Sequence, residues 1–109
     1  MKQDITTSTE TFMNHLNGVM KKPEGYSYKL STRGSKYFKV HMIPRGGGGS
    51  VYCFIDKLTG DIFKPAGWRA PAKGVRGSVL IPESYSRSDW SGGWLYRIFG
   101  NVFNKNMIG

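Results

Sequence analysis

The stretch from Lys64 to Arg76 carries four basic side chains and no acidic one. Trp68 lies among these cations, and proline and glycine interrupt the segment. Lysine and arginine neutralise phosphates, and an aromatic ring stacks on an unpaired base. The composition therefore predicts a binding surface for an anionic ligand.

Other residues that could perform chemistry are better explained by structure. Asp56 and Asp61 share one turn, where aspartate is favoured because it hydrogen-bonds nearby backbone. The glycine run 46–49 lacks the Lys-Ser/Thr ending of a phosphate-binding P-loop. Cys53 is the only cysteine and lies in an apolar strand, which excludes an intrachain disulfide and fits a reducing compartment. We see no nucleophile–base pair, metal cluster or cofactor loop, so we expect a non-enzymatic protein without cofactor or metal.

Net charge points to the class of partner. The formal charge is +9 and 14% of the residues are aromatic. Strongly basic chains usually bind nucleic acid and, less often, an anionic membrane surface. The alternative is that the charge serves solubility alone. No apolar run approaches the roughly 18 residues of a membrane span, and no signal peptide is evident, so we expect a cytoplasmic protein.

The length of 109 residues suits a single domain, 1–109. Residues 1–6 are expected to form a flexible arm. Thr7 and Glu10 fit a capping box that opens an amphipathic helix, and Pro23 ends it. The apolar face of this helix comprises Phe12, Met13, Leu16, Val19 and Met20.

Four short strands are expected over 26–30, 36–43, 51–55 and 62–64. The turn chemistry of Asp56–Asp61 predicts that the last two form a hairpin. Alternation in the second strand directs Phe38, Val40 and Met42 to the core.

The opposite sheet face is predicted to carry aromatic and basic side chains together. Strict alternation places there Tyr37, Lys39, His41, Tyr52 and Phe54. Several single-strand nucleic-acid binders use such a face to stack bases and follow phosphates. The alternative is that the C-terminal aromatic residues cover it as a second core layer.

The remaining chain completes an α+β fold. Pro71 is expected to open a short basic helix that runs to about Leu80. An aromatic segment over 90–103 follows, as helix or strand, and 104–109 is expected to be flexible. The expected architecture is an N-terminal helix on a three- to four-stranded antiparallel sheet. Trp90–Phe103 also offers a surface for homo-oligomerisation.

The string FIDKLTGDIFKPAGWRAPAKGVRG, followed by DWSGGWLY, resembles small uncharacterised proteins of tailed bacteriophages, especially marine podovirus-like ones. Those proteins carry similar elements in the same order, which here are Asp56–Asp61, Lys64–Trp68 and Pro71–Arg76. The resemblance covers about the second half of the chain, with the preceding strand. It implies phage origin and expression in a bacterial host, and it implies no activity. The expected location is therefore the host cytoplasm.

These observations favour a nucleic-acid-binding protein that prefers single-stranded DNA or RNA. The predicted contact residues are Tyr37, Lys39, Arg45, Tyr52, Phe54, Lys64, Trp68, Arg69, Lys73 and Arg76. The order of helix, strands and second helix also resembles double-stranded RNA-binding modules in topology. The alternative is a non-enzymatic interaction protein, either a virion component or a binder of an acidic host protein.

Overall fold

A computed structural model describes residues 4–96 of the chain. The elements are α1 Ile5–Asn14, a π-helical turn His15–Val19, β1 Ser27–Ser31, β2 Tyr37–Ile43, β3 Ser50–Asp56, β4 Asp61–Phe63, β5 Gly77–Ser78 and 3-10 turns at Pro82–Tyr85 and Gly93–Tyr96. The strands form a five-stranded antiparallel sheet in the order β1-β2-β3-β4-β5, with α1 packed on it. The α+β class is thus confirmed, with one strand more than expected.

The turn between β3 and β4 forms as its sequence predicts. The Asp56 carboxylate accepts hydrogen bonds from the amides of Leu58 and Thr59, at 2.7 and 3.1 Å. Gly60 has a φ of 81°, a conformation that glycine adopts without strain. The hairpin is therefore confirmed, and its register is set by local turn chemistry.

The helix begins earlier than the capping box indicates. Asp4 is the N-cap, and its carboxylate accepts from the Thr6 amide at 3.0 Å and the Thr7 hydroxyl at 2.9 Å. The start at Thr7 was wrong because aspartate competes as a cap. Residues 4–6, expected in the flexible arm, form this cap and the first turn. Among the described residues no helix is long and apolar enough to cross a membrane.

One face of the sheet and the inner face of α1 share the hydrophobic core. Phe38 and Val40 are buried there, as alternation predicts, and Met42 packs at the margin. Phe12 of α1 and Leu16 of the π-helical turn that follows it are both fully buried there.

A bulge between β2 and β3 breaks the alternation. Val40 pairs with Cys53, but His41 pairs with Val51, which leaves Tyr52 as an extra residue on β3. A bulge redirects side chains relative to strict alternation. Consequently Tyr52 is buried, with its ring 5.0 Å from that of Tyr28. The prediction that Tyr52 shares the outer face with Tyr37 was wrong.

The segment expected to be a short basic helix is extended instead. Gly77 and Ser78 form β5, the edge strand beside β4. Gly74 has a φ of 99°, which a right-handed helix does not accommodate. A Cβ on Gly77 would lie 3.2 Å from the Ser84 hydroxyl, so glycine here permits close packing. Gly74 and Gly77 thus favour the extended conformation over a helix.

The C-terminal aromatic segment is only partly described. Trp94 and Leu95 lie in the core, and the Trp94 indole donates to the Tyr52 hydroxyl at 2.8 Å. The Tyr52 hydroxyl in turn donates to the Asp89 carbonyl at 2.6 Å. The remainder of the predicted helix or strand, and the predicted flexible end, lie outside the described residues.

We expect Thr9→Val to stabilise the protein. Thr9 is 1% exposed, and its hydroxyl has no hydrogen-bond partner among residues 4–96. A buried hydroxyl without a partner costs about 1–3 kcal/mol, and valine has nearly the same shape. Urea unfolding should therefore show a gain of about 1 kcal/mol in the free energy of unfolding. Thr6→Val, at an exposed position of the same helix, is the control and should change little. A loss of stability in Thr9→Val would show that the hydroxyl finds a partner in solution.

Candidate functional site

A groove of about 540 Å³ lies on the sheet face opposite the core. Strands β2 and β3 form its floor, the β1–β2 turn one wall, and the β4–β5 loop the other. Its charged and aromatic lining residues are Arg33, Lys36, Tyr37, Lys39, His41, Phe54, Trp68 and Arg69. Ligand sites in proteins typically have volumes of about 300–1,000 Å³, so the groove is large enough to hold a ligand.

The antiparallel register builds the floor of the groove. Lys39 pairs with Phe54, and Phe54 pairs with Phe63. Directly opposite residues share a face, so these side chains form one row across three strands. The Lys39 ammonium lies 5.7 Å from the centroid of the Phe54 ring. Phe54 is only 2% exposed, so it supports the floor from below and presents no open ring to a ligand.

Tyr37 gives the floor its half-buried aromatic ring. The ring packs edge-on against Phe54 and Phe63, with centroid distances of 5.9 and 6.1 Å. The Lys36 ammonium lies 5.4 Å from its centroid. These contacts fix the orientation of the tyrosine beside a cation.

Trp68 belongs to a short loop closed by its own backbone. The amide of Ala66 donates to the carbonyl of Ala70 at 2.9 Å, and Pro65 and Pro71 face each other as a β-bridge. Because the closing contacts are backbone contacts, the loop geometry does not depend on the indole.

The indole of Trp68 projects over the floor. Its ring centroid lies 5.7 Å from that of His41 and 5.5 Å from the Lys39 ammonium. The side chain is 57% exposed, although tryptophan usually buries most of its surface. An exposed indole held in place by neighbours is typical of a residue that contacts a ligand.

The opposite wall is held by a lysine from another turn. The Lys57 ammonium donates to the carbonyls of Thr32, at 2.8 Å, and Gly34. These bonds fix the β1–β2 turn that presents Arg33 and Lys36. Neither cation is among the contact residues predicted from the sequence. Their position in a glycine-containing turn before β2 was the signal.

The groove is positively charged. Four of its lining residues are Arg or Lys, and none of the described lining residues is acidic. Burial, and then the nearby Lys39 charge, lower the pKa of His41. Cations gathered without carboxylates repel one another, and an anionic ligand relieves that repulsion.

A sequence comparison assigns the family. A family model matches residues 1–97, and its description is a family of unknown function (DUF7717). The chain belongs to DUF7717. No curated protein and no solved structure matches it. The matched part includes every residue of the groove.

In this DUF7717 chain the groove gathers half of the predicted contact residues. They are Tyr37, Lys39, Phe54, Trp68 and Arg69. The others lie elsewhere among the described residues. Lys64 places its ammonium 4.6 Å from the Tyr96 ring centroid, Arg45 packs beside Gly25, and Lys73 is exposed outside the groove.

Arg76 was predicted to contact phosphate, and the structure assigns its guanidinium to the interior. The side chain is 8% exposed. It donates to the carbonyls of Gly74 at 3.1 Å, Lys73 at 3.2 Å, and Leu95. A guanidinium has five fixed donors, so it can join three carbonyls at once. Arg76 therefore holds two chain segments together and is unavailable to a phosphate on the surface.

Residues of catalytic type do not form a recognisable centre in the described part of the chain. His15 Nε2 lies 2.9 Å from the Ser88 hydroxyl, a pair that the sequence did not reveal. Burial, and then the charge of Lys22, lower the pKa of His15. In catalytic triads a carboxylate usually orients the histidine and stabilises its charged form, and the causes of the His15 shift include no carboxylate. Burial raises the pKa of Cys53 and keeps it a neutral thiol. No cluster of three potential metal ligands occurs among the described residues.

Proposed function

We propose that this protein binds single-stranded nucleic acid in the groove and catalyses no reaction. Trp68 stacks on a base, and Tyr37 flanks it on the floor. The cations Arg33, Lys36, Lys39 and Arg69 neutralise phosphates. The observation that carries the proposal is an exposed indole held among four cations with no described carboxylate in the same groove.

The geometry favours an unpaired strand over a duplex. In a duplex the bases are stacked on one another, and their faces are out of reach of Trp68. A single strand exposes both its bases and its phosphates, and proteins that bind it combine a basic groove with aromatic platforms. Stacking uses the face that every base has, so we expect little sequence preference.

The phage resemblance of the second half suggests where such strands arise. We propose that the protein acts in an infected bacterial cell on phage or host single strands. The groove is not expected to discriminate between phage and host strands, because both present the same phosphates and bases.

Salt dependence tests the proposal quantitatively. Fluorescence anisotropy would follow a labelled oligo-dT or oligo-U and a matched duplex from about 50 to about 200 mM salt. Each phosphate neutralised on a single strand contributes about −0.7 to the slope of log K against log salt. With four cations engaged, we expect a slope of about −3 for the single strands and weaker binding of the duplex.

A matched pair of variants locates the binding surface. Arg69→Gln removes a groove cation and should make the slope shallower by about 0.7. Lys73→Gln removes an exposed cation outside the groove and should leave the slope unchanged. Absence of binding at the lowest salt would overturn the proposal. Binding of an acidic peptide in the groove, without nucleic-acid binding, would favour the interaction-protein alternative.

A further inference from the structure

His41 is the one titratable group of the groove, among the described residues, that changes charge near neutral pH. It lies on the floor in β2, and the bulge places Val51 opposite it in β3. The Trp68 ring packs edge-on against the imidazole at 5.7 Å, so the histidine lies beneath the indole proposed to stack on bases.

The charged groups around His41 are cations. Lys29 is its partner in β1, and Lys39 is its neighbour on the same face of β2. Arg69 lines the groove from the β4–β5 loop, and Arg33 and Lys36 line it from the β1–β2 turn. The described lining includes no carboxylate. Burial, and then these neighbouring cations, oppose a positive charge on the imidazole, so the unliganded protein holds His41 neutral at neutral pH.

We propose that His41 couples binding in this groove to proton uptake, so that an anionic strand binds more tightly as the pH falls. The inference rests on the proposed function. Phosphates in the groove neutralise the surrounding cations, and they add negative charge beside the imidazole. Protonation of His41 is thereby favoured in the complex, and the proton adds a fifth cation to the four Arg and Lys side chains.

The direction of the pH dependence follows from the protonation of His41 in the unliganded protein and in the complex. The pKa of His41 in the unliganded protein lies below its ordinary value because of burial and Lys39. Bound phosphate raises this pKa, since an opposite charge nearby favours the charged form. Affinity therefore increases as the pH falls through the pKa of the complex, and levels off below that of the unliganded protein. Each unit of difference between the pKa of His41 in the complex and in the unliganded protein corresponds to about a tenfold change in affinity.

The test compares the two histidines of the chain. Anisotropy with oligo-dT, whose bases and diester phosphates keep their charge in this range, would be recorded from about pH 7.5 to about pH 5.5. We expect the Kd to fall about 3- to 10-fold across this range for the wild-type protein. His15→Gln, at a histidine outside the groove, should retain this dependence, whereas His41→Gln should lose it.

Calorimetry supplies a second readout that a purely structural role would not change. Titrations in two buffers of different ionisation enthalpy would show uptake of up to about one proton per strand bound, which disappears in His41→Gln. A wild-type affinity that does not depend on pH, or a dependence that persists in His41→Gln, would overturn the inference while the proposed function stands. Absence of binding at every pH, at low salt, would instead remove the proposed function itself.

Discussion

Replacing Trp68 with alanine is expected to weaken binding of a single-stranded oligonucleotide by about 5- to 150-fold. This range corresponds to about 1–3 kcal/mol for one base stacked on an aromatic ring. The indole is exposed and its loop is closed by backbone contacts, so the free energy of unfolding should change by less than about 0.5 kcal/mol. Anisotropy would measure the first quantity and urea unfolding the second.

Leu58→Ala is the matched control for the tryptophan variant. Leu58 is 89% exposed at the tip of the β3–β4 turn, outside the groove lining. Its removal deletes an exposed apolar side chain without touching the proposed site, and binding should stay within about twofold because surface changes usually have small effects. Trp68→Phe should recover part of the affinity, since a smaller ring still stacks. Equal affinity of Trp68→Ala and the wild-type protein would exclude stacking on Trp68 as a source of binding energy.

The sequence predicts those parts of the fold that depend on neighbouring residues. Asp56 and Gly60 act on backbone within four residues of themselves, so the hairpin is visible in the order of residue types. Phe38 and Val40 follow simple alternation in a regular strand. Tyr52 does not, because the bulge arises where two strands meet and leaves no mark that we recognise in β3 alone.

The site was predictable to the extent that it lies on strands or on an exposed loop. Tyr37, Lys39 and Trp68 fall together because sheet register and a closed loop bring them to one face. Arg33 and Lys36 join them through a turn fixed by Lys57, whose ammonium bonds to a carbonyl 25 residues away. Contacts between distant segments of this kind cannot be deduced from residue spacing. The same limit explains why charge alone could not distinguish the buried Arg76 from the cations of the groove.

Arg76→Ala is expected to lower the free energy of unfolding by about 2–4 kcal/mol. Hydrogen bonds from a charged donor each contribute about 1.5–3 kcal/mol, and the three bonds of this guanidinium are not additive. One of them reaches Leu95, which lies in the core, so the variant also loses the tie between the β5 region and the C-terminal turn. A typical domain has about 5–15 kcal/mol of stability in total, so this loss is large. Urea unfolding of both proteins would measure this loss, with the same dependence of the free energy on urea concentration assumed for each.

The alternative role of Arg76, a contact to phosphate, predicts the opposite pattern. Lys73→Ala removes the neighbouring exposed cation and should leave stability within about 0.5 kcal/mol of the wild-type value. Arg76→Lys keeps the charge but lacks the planar fork that reaches three carbonyls, so it should remain strongly destabilised. At a temperature where Arg76→Ala is fully folded, its affinity for oligo-dT and its salt slope should match those of the wild-type protein. A shallower slope with unchanged stability would instead place Arg76 at the binding surface and contradict the structural role that its three carbonyl partners indicate.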